Sequence, residues 1–272
     1  MTALPLWFRL LARASGLVSP LGLGLVVVAV VLASPLLGVA AAVVLVGGAG
    51  LALVPVAPSG LEPVTLASPV RGRWQAINSP TTRVPSHGTH ALGQTWAVDL
   101  VCDPADGSRP AFGDHPPFPA NDLYPAYGAD VLAPVDGTVV RARDGRRDHR
   151  ARSGWAAFGY LMAEGVVREL LGVRAMLGNH VVIATPAGHV VLAHLRRGSV
   201  AVAPGDRVLT GSRVGACGNS GNSSEPHVHL QVCDSARVRT AAGLPFRLTG
   251  TTDDAGVPLD RLPATGEVLV SP

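Results

Sequence analysis

Lysine is missing from this 272-residue chain, and all 22 of its basic residues are arginine. That absence excludes Schiff-base catalysis by a lysine amine, a Walker-type phosphate lysine, and a lysine that carries lipoate or biotin. Cysteine is scarce, and Cys102, Cys217 and Cys233 form no Cys-x-x-Cys pair. A hairpin would allow a disulfide between Cys217 and Cys233; buried free thiols are the alternative, and the count leaves the compartment open. The net charge of +3 is small and dispersed, so nothing points to nucleic acid. No His-Glu-x-x-His occurs, so no helix-borne glutamate is available as a base. Charge of either sign is absent from Leu17 to Val56, and the first acidic residue is Glu62.

That uncharged stretch is the first positive feature. Its 40 residues would extend about 60 Å as one helix, roughly twice what a bilayer crossing needs. Ser34-Pro35 falls near the middle, where proline breaks a helix or permits a turn. The reading is a transmembrane helix or helical hairpin over residues 17–56, with two short spans favoured over one straight helix. A secretory signal peptide is the alternative, although its apolar core would be unusually long. Residues 1–16 form a short basic segment with Arg9 and Arg13, and residues 57–72 a linker rich in Pro, Ser and Gly. A soluble domain over 73–272 follows.

Short strands and turns dominate that domain, so its expected class is all-β, an antiparallel sandwich or barrel-like domain with a small helical insertion. Arg73 to Ile77 reads as a strand. Pro85 to Gly93 reads as a loop bearing His87 and His90, and Gln94 to Val101 as a strand containing Asp99. A carboxylate buried in an apolar strand needs a cation beside it, either a metal or an arginine. Ala129 to Val140 reads as two strands around a turn at Asp136-Gly137. The same run resembles biotinyl and lipoyl carriers, which the missing lysine rules out. Arg141 to Arg152 reads as a solvated loop, and about 153–172 as an inserted helix beside a groove. Asn179 to Ala184 and His189 to Leu195 flank Pro186-Ala187-Gly188 as a hairpin, with His194 near its end. His115 and His149 are placed in polar loops, and His180 and His189 are given structural roles.

The strand His227 to Val232 carries most information. Val228, Leu230 and Val232 face one side, while His227, His229 and Gln231 face the other. Two histidines on one face, about 6.6 Å apart along the strand, suit one metal ligand and one neighbour acting on water.

In order and spacing these pieces resemble the lysostaphin-type zinc metalloendopeptidase family, peptidoglycan hydrolases, over roughly residues 74–235. The series runs from Asp99 through Ala133 to Val139 and Gly178 to Ile183. It continues with Ala193-His194-Leu195, Pro204-Gly205-Asp206, Gly218-Asn219-Ser220-Gly221 and His227-Val228-His229. The resemblance implies Zn2+ as cofactor, with Asp99, His229 and an upstream histidine as ligands, and His194 and His227 as non-ligand catalytic histidines. The family usually places its first ligand a few residues before the aspartate, whereas His87 and His90 lie 12 and 9 residues before it. His87, between Pro85-Ser86 and Gly88, is preferred, with His90 as the alternative. Three ligands leave a fourth position for water or the scissile carbonyl. Zinc lowers the pKa of water and polarises the carbonyl, His227 would act as base, and His194 would steady the oxyanion. The implied partners are the peptidoglycan peptide, the membrane and an optional activator protein. The implied location is the cell membrane, with the catalytic domain outside. Two other readings remain: an inactive cell-wall-binding or regulatory scaffold of the same fold, and a cytosolic phospho-histidine carrier.

Overall fold

The computed structural model describes residues 6–57, 60–114 and 116–272. His115 lies outside the described residues. Helix α1 (Leu6–Arg13) precedes two apolar helices, α2 (Ser15–Val31) and α3 (Pro35–Ala52). The break falls at Ser34-Pro35. Ala33 takes a positive φ of 46°, the Ser34 hydroxyl caps α3 at the Leu37 amide (3.4 Å), and Pro35 occupies the first turn, where it forfeits no hydrogen bond. The short turn folds α3 back along α2 as a hairpin. Gly22 of α2 lies so near α3 that a Cβ there would come within 2.6 Å of the Leu45 side chain. By length and composition α3 alone, among the described residues, is a full candidate span; α2 contributes the shorter apolar run Leu21–Val31.

The rest of the chain is built on one large, mostly antiparallel sheet. Its strands are β2 (Gly72–Ile77), β3 (Val98–Cys102), β5 (Gly137–Arg143), β6 (Asn179–Thr185), β7 (Gly188–Leu195), β8 (Arg207–Val208), β10 (Val228–Cys233), β11 (Gly243–Leu244), β13 (Thr251–Thr252), β14 (Pro258–Leu259) and β15 (Val268–Ser271). They lie in the order β14-β13-β15-β2-β3-β10-β7-β6-β5-β8, with β11 added beside β10. Two small ribbons complete the fold: β1 (Val64–Ala67) parallel to β12 (Phe246–Thr249), and β4 (Asp130–Leu132) against β9 (Arg213–Ala216). Side-chain alternation divides the central strands between two layers. Val228, Leu230 and Val232 of β10 join Val190 and Leu192 of β7 and Trp74 of β2 in the main core, each at most 1% exposed. Each such side chain contributes roughly 1.5–3 kcal/mol of transfer free energy. The opposite face carries the histidines and a smaller cluster around Leu177, Val182 and Val191.

The inserted helix is α4 (Trp155–Leu171), followed by α5 (Val173–Leu177). Gly172 separates them at a φ of +92°, where its amide closes onto the Arg168 and Glu169 carbonyls. The expected hairpin is β6–β7, in the register Val182↔Val191 and Thr185↔Gly188.

Several local expectations change. Gln94 to Trp96 is not strand: Leu92 and Gly93 take φ of +57° and +71°, which coils Ala91–Trp96 into a 3-10 turn and delays β3 to Val98. The strands β4 and β5 around Asp136-Gly137 do not pair with each other; they join β9 and β6. The stretch read as a linker holds β1, whose Leu66 is 1% exposed in the core. The charged run after Arg143 is not freely solvated. Arg152 is buried against Glu164, and a His149 ring nitrogen lies 2.8 Å from the Gly221 carbonyl. All three cysteines are free thiols.

Candidate metal centre and catalytic cleft

Asp99 in β3 and His229 in β10 are direct cross-strand partners, which places their side chains side by side on the face opposite the core. Asp99 Oδ1 lies 2.8 Å from His229 Nδ1. Its other oxygen, Oδ2, lies 3.0 Å from His87 Nε2 and accepts from Asn78 Nδ2 at 3.0 Å. One potential ligand atom from each of His87, Asp99 and His229 falls within 4.8 Å of the others. Of the two loop histidines, His87 therefore reaches the carboxylate. His90 is turned away, with Nδ1 3.0 Å from Thr95 Oγ1, and burial lowers its pKa.

The far nitrogen of each ring tests whether this trio suits a metal. Ser86 Oγ donates to the Gln94 carbonyl (3.2 Å), so it accepts from His87 Nδ1–H (3.0 Å) and leaves Nε2 as a lone pair facing Asp99. Gln231 Nε2 donates to the Leu92 carbonyl (3.0 Å), so its Oε1 faces His229 Nε2–H at 2.8 Å. The Nδ1 lone pair of His229 then points at the carboxylate. Both imidazoles are held in the tautomer a cation requires, by the outer contacts that usually orient metal-bound histidines. The residues fit a zinc ion as two nitrogen ligands and one oxygen ligand. Gly93 makes room for this support: a Cβ there would collide with Cys233 Sγ and come 3.1 Å from Gln231 Nε2.

Two more histidines face the trio. His227, immediately before β10, lies with Nε2 3.5 Å from Asp99 Oδ1 and Nδ1 2.8 Å from the Glu225 carbonyl. Glu225 is itself clamped by Arg109 at 2.8 Å. His194, in β7, has a φ of +62°, a costly backbone conformation that the loop Gly218–Gly221 holds in place. The Gly218 amide donates to the His194 carbonyl (3.1 Å), and His194 Nδ1–H donates to the Ser220 carbonyl (2.8 Å). The rings of His194 and His227 lie 4.8 Å apart between centroids.

Electrostatics separates these groups. Burial alone would raise the Asp99 carboxyl, but His87 and His227 through their charge when protonated, and His227 and His229 through hydrogen bonds donated in that form, outweigh it and hold Asp99 well below the usual range. Burial likewise disfavours a charged His227, yet Asp99 beside it wins and raises its pKa. His194 is pushed well down by burial and by the positive potential of His227 and His229. The cleft over these residues encloses about 470 Å³, walled on one side by Phe158, Leu161 and Met162 of α4 and on the other by Asn78, Arg83 and Gln94. Read from the sequence, Asn78 has no part, and Ser86 and Ser220 enter only within longer runs, with no role of their own. The available signal was weak, namely a polar residue directly beside a predicted strand or ligand.

The geometry defines a histidine–carboxylate centre on an antiparallel sheet. Residues 160–240 match the family model described as Peptidase family M23, a segment that contains His194, His227 and His229. That segment is of peptidase family M23, and the lysostaphin-type resemblance is borne out there. Among solved structures, the catalytic domain of lysostaphin from Staphylococcus simulans is 21% identical, with a TM-score of 0.28 over 49% of this chain and 85% of that one. The SpoIIQ–SpoIIIAH pore-forming complex is 21% identical (TM-score 0.30), covering 54% of this chain and 60% of its own. Csd3 from Helicobacter pylori is 16% identical (TM-score 0.32), covering 64% and 33%. The chain thus spans less than two thirds of two of these three. No curated protein matches the chain.

Proposed function

We propose that the chain is a membrane-anchored zinc metallopeptidase that hydrolyses peptide bonds of peptidoglycan, with its catalytic domain outside the cytoplasmic membrane. The observation that carries the reading is the trio His87, Asp99 and His229, whose rings are fixed with their lone pairs turned inward. Family M23 membership of residues 160–240 supports peptidase chemistry, and the apolar hairpin supports an anchor.

In this reading His87 Nε2, Asp99 and His229 Nδ1 hold the metal, which when bound supplies Lewis acidity toward a carbonyl and water. His227 Nε2, with Nδ1–H committed to the Glu225 carbonyl, takes the proton from the attacking water and delivers it toward the leaving amine. His194, committed through Nδ1–H to Ser220, presents Nε2 to the same space. It stabilises the developing negative charge when protonated, or shares the proton transfer. Phe158, Leu161 and Met162 exclude water from one wall and leave a trough for an extended peptide.

The test combines metal analysis of the full chain with digestion of purified sacculi. One zinc per chain and release of new amino termini are expected. Zinc without cleavage would favour the inactive scaffold, and no zinc would remove the enzyme.

A further inference from the structure

On the same sheet face as the histidines, but toward the β5–β6 side, a second cavity of about 480 Å³ opens. Five arginines line it: Arg141 and Arg143 from β5, Arg174 from α5, and Arg237 and Arg239 around the 3-10 turn Val238–Thr240. Among the described residues no carboxylate lines it. Where these guanidinium groups are bonded, their partners are backbone carbonyls: Arg141 Nε to Ala236 (3.2 Å), Arg174 Nη2 to Asp144 (2.8 Å) and Arg239 Nη2 to Glu169 (3.1 Å). Among the described residues none of the five joins an ion pair. His180, 4% exposed, completes the lining, with Nδ1–H donating to the Gly178 carbonyl at 2.9 Å. Burial, and then Arg143, Arg141 and Arg174 around it, push that imidazole down to about 4, so it stays neutral at ordinary pH. Several cations gathered around one concavity repel each other and raise the local concentration of anions.

We propose that this pocket binds the phosphodiester of an anionic phospholipid headgroup. The proposal rests on the membrane-anchored reading above. Planar guanidinium groups match phosphate oxygens in paired hydrogen bonds, and at least three of the arginines, Arg143, Arg174 and Arg237, are exposed. Two observations select a lipid over a soluble phosphate. Residues 234–242, which supply Arg237 and Arg239, rest on the base of the apolar hairpin: Arg13 is paired with Asp234, Ala242 packs with Ala12 and Val56, and α2 touches the 3-10 turn. The pocket therefore sits where the hairpin leaves the domain, at headgroup depth for a spanning hairpin. Its other flank is α4, whose Glu169 carbonyl holds Arg239 and whose Val166, Val167 and Leu171 are 60%, 52% and 68% exposed. Apolar side chains beside a basic pocket are the pattern of a surface lying in the interface.

The test uses the full chain in detergent, offered equal amounts of phosphatidylglycerol and phosphatidylcholine and examined by native mass spectrometry. The wild type should retain phosphatidylglycerol preferentially. The triple variant Arg143→Ala/Arg174→Ala/Arg237→Ala should lower that retention about 10²-fold, because each basic residue beside an anionic headgroup is worth about a factor of five. Unchanged circular dichroism shows that this variant folds; should it not fold, the single change Arg174→Gln carries the comparison, with an about fivefold loss expected. Equal retention of the two lipids by the wild type, or full retention of phosphatidylglycerol by the folded variants, would overturn the proposal. Inorganic phosphate is the second arm, and it should leave the melting temperature unchanged. An arginine-dependent rise with phosphate, without lipid retention, would make this a soluble-anion site and overturn the lipid assignment. Carbonate extraction of membranes separates the two readings. Release of the wild-type chain would refute the anchor and the lipid with it, whereas a carbonate-resistant chain that retains no phosphatidylglycerol refutes the lipid site alone.

Discussion

Gln231→Leu isolates the support of the proposed metal centre from its ligands. Gln231 is fully buried and touches no substrate-facing space; it accepts from His229 Nε2–H at 2.8 Å and donates to the Leu92 carbonyl at 3.0 Å. Leucine keeps the volume and removes both bonds, together with the 2.9 Å contact from Gln231 Nε2 to Cys233 Sγ. His229 then loses the contact that keeps its Nδ1 unprotonated and aimed at Asp99. Loss of such an outer contact costs about 10- to 100-fold in metal affinity, or about 1.4–2.7 kcal/mol. The metal-free protein also suffers, since the Leu92 carbonyl and His229 Nε2–H are left without partners at about 1–3 kcal/mol each. The zinc dissociation constant, measured by chelator competition on the full chain in detergent, should rise by that 10- to 100-fold. Thermal unfolding of the apo form reads the second loss separately. An unchanged zinc dissociation constant in a folded Gln231→Leu protein would refute the reasoning, because His229 would then be oriented by something other than Gln231.

Other outcomes follow from the same geometry. His87→Ala and His229→Ala should each lose the single zinc of the wild type in elemental analysis, while His90→Ala keeps it; the reverse pattern would move the ligand to His90. His227→Ala and His194→Ala should retain zinc yet lower the rate of sacculus digestion by about 10²- to 10⁴-fold, and unchanged hydrolysis in His227→Ala would refute its role as base. Removing residues 1–57 should weaken zinc binding, because the Ala52 carbonyl at the end of α3 accepts from the His90 amide (2.7 Å) and Thr89 Oγ1 (3.1 Å) in the loop that carries His87. Equal zinc affinity in fragment 58–272 and the full chain would show that the hairpin gives that loop no support.

Much of the site was legible because strand periodicity is rigid. Once His227 to Val232 reads as a half-buried strand, the common face of His227, His229 and Gln231 follows, and a lone Asp99 in an apolar run demands a partner. The hairpin was legible from length and one Ser-Pro step. The preference for His87 over His90 rested on the turn residues beside His87 alone; the coil that follows His90 contains the left-handed pair Leu92 and Gly93, and leucine carries no signal for a positive φ. His194 illustrates the same limit: its φ of +62° falls at an irregularity of the β6–β7 pair and is accompanied by hydrogen bonds to the Gly218–Gly221 loop, 24 or more residues later in the chain. The roles of Asn78 and Ser86 depend on which loop folds over which strand, a tertiary matter that local propensity does not encode. The β1–β12 pairing, across about 180 residues, escaped for the same reason.

Topology is where the fold and the proposed substrate pull against each other. A single kinked span would put Arg13 and the domain on opposite sides of the bilayer, but Arg13 is ion-paired with Asp234 and Ala12 packs with Ala242. A spanning hairpin would therefore have the residues before and after it on one side and the tip at Leu32, Ala33 and Ser34 on the other. Arg9, Arg13, Arg71 and Arg73 all flank the hairpin on the domain side, and the tip has no charge. Counted alone, these arginines would hold the domain in the cytoplasm. A large domain, however, crosses largely regardless of its charge, which leaves a penalty from the short segment before Ser15. The proposed substrate lies outside, so the expected arrangement has both the N-terminal segment and the domain outside. Protease added to intact spheroplasts should then digest residues 60–272 while a cytosolic control survives. Protection of the domain until the membrane is permeabilised would place it in the cytoplasm. Peptidoglycan would then be out of reach of the cleft, even with zinc bound to His87, Asp99 and His229.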